Sequence, residues 1–251
     1  MKILNNPKLI LFSFVLFSIM GCSSDEPTPP PPTTKSSYKQ IDAEILVDGT
    51  LLYYTISLPK EYSSKNPTPL VLALHYAGEV TPYYGKEFLT VFIEPALGEL
   101  DAVMVAPTSP IQISWTSPIC EKTVMAMLNK IITEYNIDAK RIVVTGYSMG
   151  AAGTYYFAAK QPDVFSAAIP VSGMPQQDII ANLKDVPLYI IHSRIDQIFP
   201  FGEVEQLVYT LQSEGKTVEL KAVDWSSHYD IAGFITPLSE SIPWIKGIWE
   251  K

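Results

Sequence analysis

Ser148, Asp196 and His228 are the residues of this chain whose types and order could attack a carbonyl carbon together. Ser148 lies in Gly146-Tyr147-Ser148-Met149-Gly150, between the β-branched run Ile142–Thr145 and a segment that reads as a helix through Lys160. A serine on a sharp strand-to-helix turn is strained and has its hydroxyl lifted above the sheet. Glycines two residues either side let the two backbones pass closely, and the helix N-terminus favours negative charge on a nearby oxygen. A hydroxyl becomes a useful nucleophile when an imidazole takes its proton and a carboxylate fixes the imidazole's tautomer. Only three histidines are present. His75 and His192 end strand-like runs, whereas His228 lies in a loop after another. Asp196 comes after the run Leu188–Ile191 in the same manner. All three residues thus fall at C-terminal ends of predicted strands, where open α/β sheets place their sites.

The elements that must position them read as an alternation. A hairpin is predicted from Ala43–Val47 and Leu51–Leu58 about the turn Asp48-Gly49. Leu70–Leu74 has no polar face and reads as a central strand buried on both sides. A helix over 90–100, a strand over Ala102–Ala106 and a helix over 123–135 come next. Beyond the Ser148 turn come strands at Ala167–Val171, Leu188–Ile191 and Thr217–Val223, with helices over 203–213 and 239–249. Strand alternating with helix predicts an α/β fold with a mostly parallel central sheet and helices on both faces. The interval Gly173–Val186 has room for a single helix near Gln176–Leu183, which predicts a minimal cap and an open cleft.

Ahead of this domain, Lys2 and Lys8 precede the apolar run Leu9–Met20, a length that fits a signal-peptide core better than a membrane span. Ile19-Met20-Gly21-Cys22 resembles a bacterial lipoprotein box, with Met20 an unusual occupant. That resemblance implies a signal peptide at 1–21 and lipidation of Cys22, anchoring the protein to a membrane in the cell envelope. Ser23 rather than Asp stands directly after the cysteine, which favours the outer membrane, and the acids Asp25 and Glu26 close behind it resemble those of some surface-exported lipoproteins. Residues 22–37 are proline-rich and read as an extended tether, leaving 38–251 as the catalytic domain. Formal net charge is −8, with 18 basic and 26 acidic residues. Loss of 1–21 removes Lys2 and Lys8 and no acid, so the remainder is more acidic still and argues against nucleic acid as a partner. Cys120 is the only cysteine besides Cys22, so no disulfide within the domain is expected.

From about Tyr38 onward the chain resembles small α/β-hydrolases of the feruloyl esterase, acetyl xylan esterase and polyhydroxybutyrate depolymerase group. The segment from Arg141 to Gly150 matches their elbow. Gln161-Pro162-Asp163-Val164-Phe165 and Val171-Ser172-Gly173 match the segments beyond that elbow. Ile191-His192, with Asp196 and Pro200, resembles their acid loop. The resemblance implies an α/β-hydrolase fold, with Ser148 as nucleophile, Asp196 as acid and His228 as base. It departs at His75-Tyr76-Ala77-Gly78, where Tyr76 replaces a glycine beside the expected oxyanion hole. The N–H of Met149 with that of Tyr76, or alternatively Ala77, would hold the oxyanion.

His75 reads as structural and His192 as packing for the acid loop. Asp224 and Asp230 flank His228 and read as solvated loop acids, with Asp196 better placed in the topology. Trp115 and Trp225 lie in loops on the expected active-site side and could stack on an aromatic or sugar ring, or serve packing. The histidines and cysteines show no zinc spacing, and no cofactor is expected. The expected activity is hydrolysis of short-chain or hydroxycinnamoyl esters, free or attached to polysaccharide. A serine peptidase of the same fold and a catalytically retired glycan-binding protein are the other readings. Oligomeric state is not legible.

Overall fold

The computed structural model describes residues 38–111, 114–183 and 185–251. The expected signal peptide, the Cys22 lipidation site and the proline-rich tether lie outside the described residues. Eight strands form one sheet in the order β1-β2-β4-β3-β5-β6-β7-β8. The hairpin β1 (Tyr38–Val47) and β2 (Thr50–Pro59) turns at Asp48 and Gly49, both at positive φ. β2 pairs antiparallel with β4 (Val103–Pro107). β3 (Thr68–Leu74), β4, β5 (Ile137–Tyr147), β6 (Ala167–Val171), β7 (Leu188–Ser193) and β8 (Val218–Val223) run parallel. This is the mostly parallel sheet expected of the α/β-hydrolase fold.

β3, β4, β6 and β7 are buried along their whole length, which is why their sequences carry apolar side chains on both faces. Alternate residues feed two cores. Leu70, Leu72 and Leu74 belong to one core with side chains of α3 (Pro118–Glu134), α4 (Met149–Lys160) and α6 (Phe201–Ser213). Val71 and Ala73 belong to the other, with side chains of the helical turns from Tyr84 to Leu100, α7 (Ile235–Ser239) and α8 (Ile242–Trp249).

Three helices differ from expectation. The helix expected over 90–100 starts at Tyr84 and runs through α1 (Tyr84–Phe88), a wider π-turn at Leu89–Ile93 and α2 (Glu94–Leu97). Pro95 cannot donate to the carbonyl four residues back, which loosens the turn ahead of it. The closing helix is broken between Ser239 and Ile242, with Pro243 in the first turn of α8. Between β6 and β7 the helix α5 spans only Gln177–Ile180. The cap is therefore shorter than the sequence suggested.

Candidate active site

Ser148 sits between β5 and α4 with φ 55° and ψ −114°, a conformation that costs on the order of 1–3 kcal/mol for a residue with a Cβ. Surrounding backbone enforces it. The Ser148 N–H donates to the Val171 carbonyl (2.9 Å). A Cβ on Gly146 would stand 2.8 Å from the Leu74 carbonyl oxygen, and one on Gly150 would overlap that same oxygen. Only glycines at both positions let α4 press against the end of β3.

Ser148 Oγ lies 3.0 Å from His228 Nε2, and His228 Nδ1 lies 2.8 Å from Asp196 Oδ2. A carboxylate only accepts, so Nδ1 carries the hydrogen and Nε2 is left to accept the Ser148 proton. The Asp196 side chain has no exposed surface. Its Oδ1 accepts the N–H groups of Ile198 (2.8 Å) and Phe199 (2.9 Å), and Oδ2 also accepts the Ser172 hydroxyl (2.6 Å). Burial pushes this carboxyl up, but the Phe199 N–H, Ser172, His228 and the Ile198 N–H outweigh it and hold it below the usual carboxylate value.

The backbone of His228 is fixed as firmly as its ring. Its N–H donates to Gln197 Oε1 at 3.0 Å, and its carbonyl accepts the Tyr147 hydroxyl. Tyr147 also stacks on the imidazole, with centroids 5.9 Å apart. Sequence alone assigns none of these roles to Gln197, Tyr147 or Ser172. Each acts across a long separation that no local pattern marks.

The opposite wall begins at His75. It is fully buried; its Nδ1–H donates to the Tyr76 carbonyl (2.7 Å) and its Nε2 accepts the Ser109 N–H (3.0 Å). Burial pushes His75 down to about 4, against the partial support of the Tyr76 carbonyl. The Trp115 indole N–H donates to the His75 carbonyl at 2.9 Å. In a trans peptide the carbonyl and the next N–H point in opposite directions. Trp115 and His75 thus turn the N–H groups of Tyr76 and Ala77 away from themselves, and both residues line the cleft beside Ser148. Met149 is the first residue of α4, so its N–H has no acceptor within the helix.

The expectation that Trp115 could stack on a substrate ring is corrected. It has no exposed surface and belongs to the core, so it supports the Tyr76 loop from beneath. Trp225 is 61% exposed in the loop after β8 and is not among the residues lining the cleft. His192 is buried and donates from Nε2 to the Phe199 carbonyl (2.9 Å), packing the acid loop. Asp224 pairs with Arg194 at 3.2 Å on the surface. Among the described residues no group of three or more His, Cys, Asp or Glu is arranged to hold a metal ion, and no helix is long and apolar enough to cross a membrane.

The cleft over Ser148 has a volume of about 440 Å³ and is walled by Tyr76, Tyr147, Ile198, Tyr229 and Ile231. None of these carries a formal charge. With an imidazole in line on the serine and a helix N-terminus beside it, the arrangement can deliver a nucleophilic oxygen to a neutral carbonyl and stabilise the resulting oxyanion.

Residues 112–229 match the Dienelactone hydrolase family model. "Probable feruloyl esterase C" of Aspergillus niger is 24% identical over 165 residues, 61% of this chain and 58% of that protein. Acetylxylan esterase A of Emericella nidulans is 29% identical over 134 residues, 49% of this chain and 42% of that protein. The chain thus spans less than two thirds of the length of these curated relatives. Among solved structures, a thermostable esterase superposes with a TM-score of 0.69 at 24% identity, covering 84% of this chain and 62% of that one. A feruloyl esterase module from Clostridium thermocellum complexed with sinapinate superposes with a TM-score of 0.67 at 11% identity, covering 84% and 92%. These two likenesses establish the fold.

Proposed function

We propose that this chain is a serine esterase that hydrolyses short-chain or hydroxycinnamoyl carboxylic esters, on polysaccharide, through an acyl-enzyme on Ser148. The observation that carries the reading is the unbroken line from Ser148 Oγ through His228 to Asp196. In it, His228 Nε2 takes the Ser148 proton as Oγ bonds to the ester carbon. The carbonyl oxygen becomes an oxyanion held by the N–H of Met149 and that of Tyr76 or Ala77. Its collapse breaks the bond to the alcohol oxygen, which leaves with the proton from Nε2. Water then attacks the acyl-enzyme, gives a proton to Nε2, and releases the acid as that proton returns to Ser148.

The relatives' names supply the polymer-ester class, and two features here support it. The cleft walls are uncharged, which suits a neutral ester. The short interval between β6 and β7 supplies little apolar roof for a long acyl chain. A lipase tunnel would gain about 0.8 kcal/mol for each methylene it buries, and this cleft forgoes most of that. The test is kcat/KM on p-nitrophenyl acetate, butyrate and octanoate, beside methyl ferulate and acetylated xylan. Activity should fall from acetate to octanoate, with release of acid from methyl ferulate, acetylated xylan or both. A steady rise with chain length contradicts the reading.

The proposed address is the outer membrane of the cell envelope, through a lipid on Cys22. It is supported by the Ile19–Cys22 box and the prolines beyond it. Cys22→Ala should turn a membrane-attached protein into a soluble one without changing kcat on small esters. A wild-type protein found wholly soluble, with Cys22 unmodified, overturns this.

A further inference from the structure

Ser172 is the first residue past β6, fully buried, with φ 51°. That left-handed conformation costs a residue with a Cβ about 1 kcal/mol or more, and glycine would occupy it freely. The hydroxyl gives a reason for a serine there. Its Oγ donates to Asp196 Oδ2 at 2.6 Å and stands 3.3 Å from His228 Nδ1. The Ser172 N–H donates to the Ile191 carbonyl (2.9 Å), tying the residue to the strand that leads into the acid loop. One oxygen therefore touches both the candidate acid and the candidate base.

We propose that Ser172 is a positioning residue: its hydroxyl holds the Asp196 carboxylate square to His228 and shares the charge on the Oδ2 oxygen. This rests on the assignment of Ser148, His228 and Asp196 under the proposed function. Proton transfer from Ser148 makes His228 an imidazolium whose charge faces Oδ2. With the Ser172 donor in place that oxygen divides its lone pairs between two hydrogens. Without it, Oδ2 keeps Nδ1 as its one close donor, with His192 Nε2 the next nearest at 3.5 Å; the His228–Asp196 hydrogen bond strengthens, and the free enzyme's base gives up its proton less readily. The carboxylate keeps its Oδ1 contacts to Ile198 and Phe199 but loses the side-chain contact that fixes the angle of Oδ2 to the imidazole.

Two variants test this. Ser172→Gly removes the hydroxyl and relieves the backbone; Ser172→Ala removes the hydroxyl and keeps the strain. In both, kcat on p-nitrophenyl acetate should fall about tenfold with KM within about twofold, the size of one lost hydrogen bond. The acid limb of the kcat/KM profile should move to higher pH. The far-downfield proton resonance of the His228–Asp196 hydrogen bond should move further downfield, a readout that needs no turnover. Tm of the glycine variant should equal or exceed that of the alanine variant. An unmoved resonance and acid limb in Ser172→Gly overturns the proposal, as does full recovery by glycine of activity lost in alanine. Ser148→Ala in parallel reports on the esterase reading separately: activity that survives there condemns that reading, while the resonance still decides Ser172.

Discussion

At the scale of single residues, Asp196 is the most constrained group in the site. Four donors surround its two oxygens, two from outside its own loop and two from that loop's backbone. Asp196→Asn would put an amide where one of those oxygens accepts, and the amide hydrogens would face donors. The ring of His228 would then be driven toward the tautomer that cannot take the Ser148 proton. We expect kcat to fall about ten-thousand-fold with the fold intact; near wild-type turnover would move the acid's role to another carboxylate. Ser148, Asp196 and His228 stood out in the sequence as candidate nucleophile, acid and base because each sits at a strand end in a workable order. Ser172 and Gln197 were not legible. Their partners lie 24 and 31 residues away, and serine and glutamine in loops carry no pattern of their own.

At the scale of elements, the wall opposite the triad hangs on the end of β3. His75 joins three segments there, holding the Tyr76 carbonyl, accepting from Ser109 and offering its own carbonyl to Trp115. This works only for the neutral ring, since a protonated Nε2 would face the Ser109 N–H. With the folded value at about 4 and an unfolded value near 6.5, the unfolded chain binds the extra proton first as pH falls. Stability from this group is complete above about pH 6.5 and is lost progressively toward pH 4. The loss should be about 2 kcal/mol between about pH 7 and pH 5. Urea unfolding at those two pH values should show His75→Gln less stable at the higher pH and less pH-dependent by that amount. An undiminished pH dependence would contradict the role given to His75. Strand positions were well read because apolar runs of this length have one stable place in a covered sheet. The choice between stacking and packing for Trp115 stayed open because sequence placed it in a loop on the right side without showing its depth, and the helix that starts at Tyr84 was read only from residue 90.

At the scale of the whole molecule, the sheet brings three loops and a helix N-terminus to one end and leaves little above them. Helices cover both faces, the interval between β6 and β7 is short, and the walls of the cleft are uncharged. That division explains why the fold was legible while the substrate was not. The fold is written in strand periodicity; the substrate is met by loop side chains such as Ile198 and Tyr229, whose common cleft appears only in three dimensions. If ester hydrolysis passes through Ser148, the direct measurement is the mass of the protein mixed with an activated ester or a fluorophosphonate, followed by peptide mapping. The prediction is one added acyl or phosphonyl group, on the peptide containing Ser148, and none on Ser148→Ala, which also loses turnover. A label on any other residue, or hydrolysis that persists in Ser148→Ala, would contradict it.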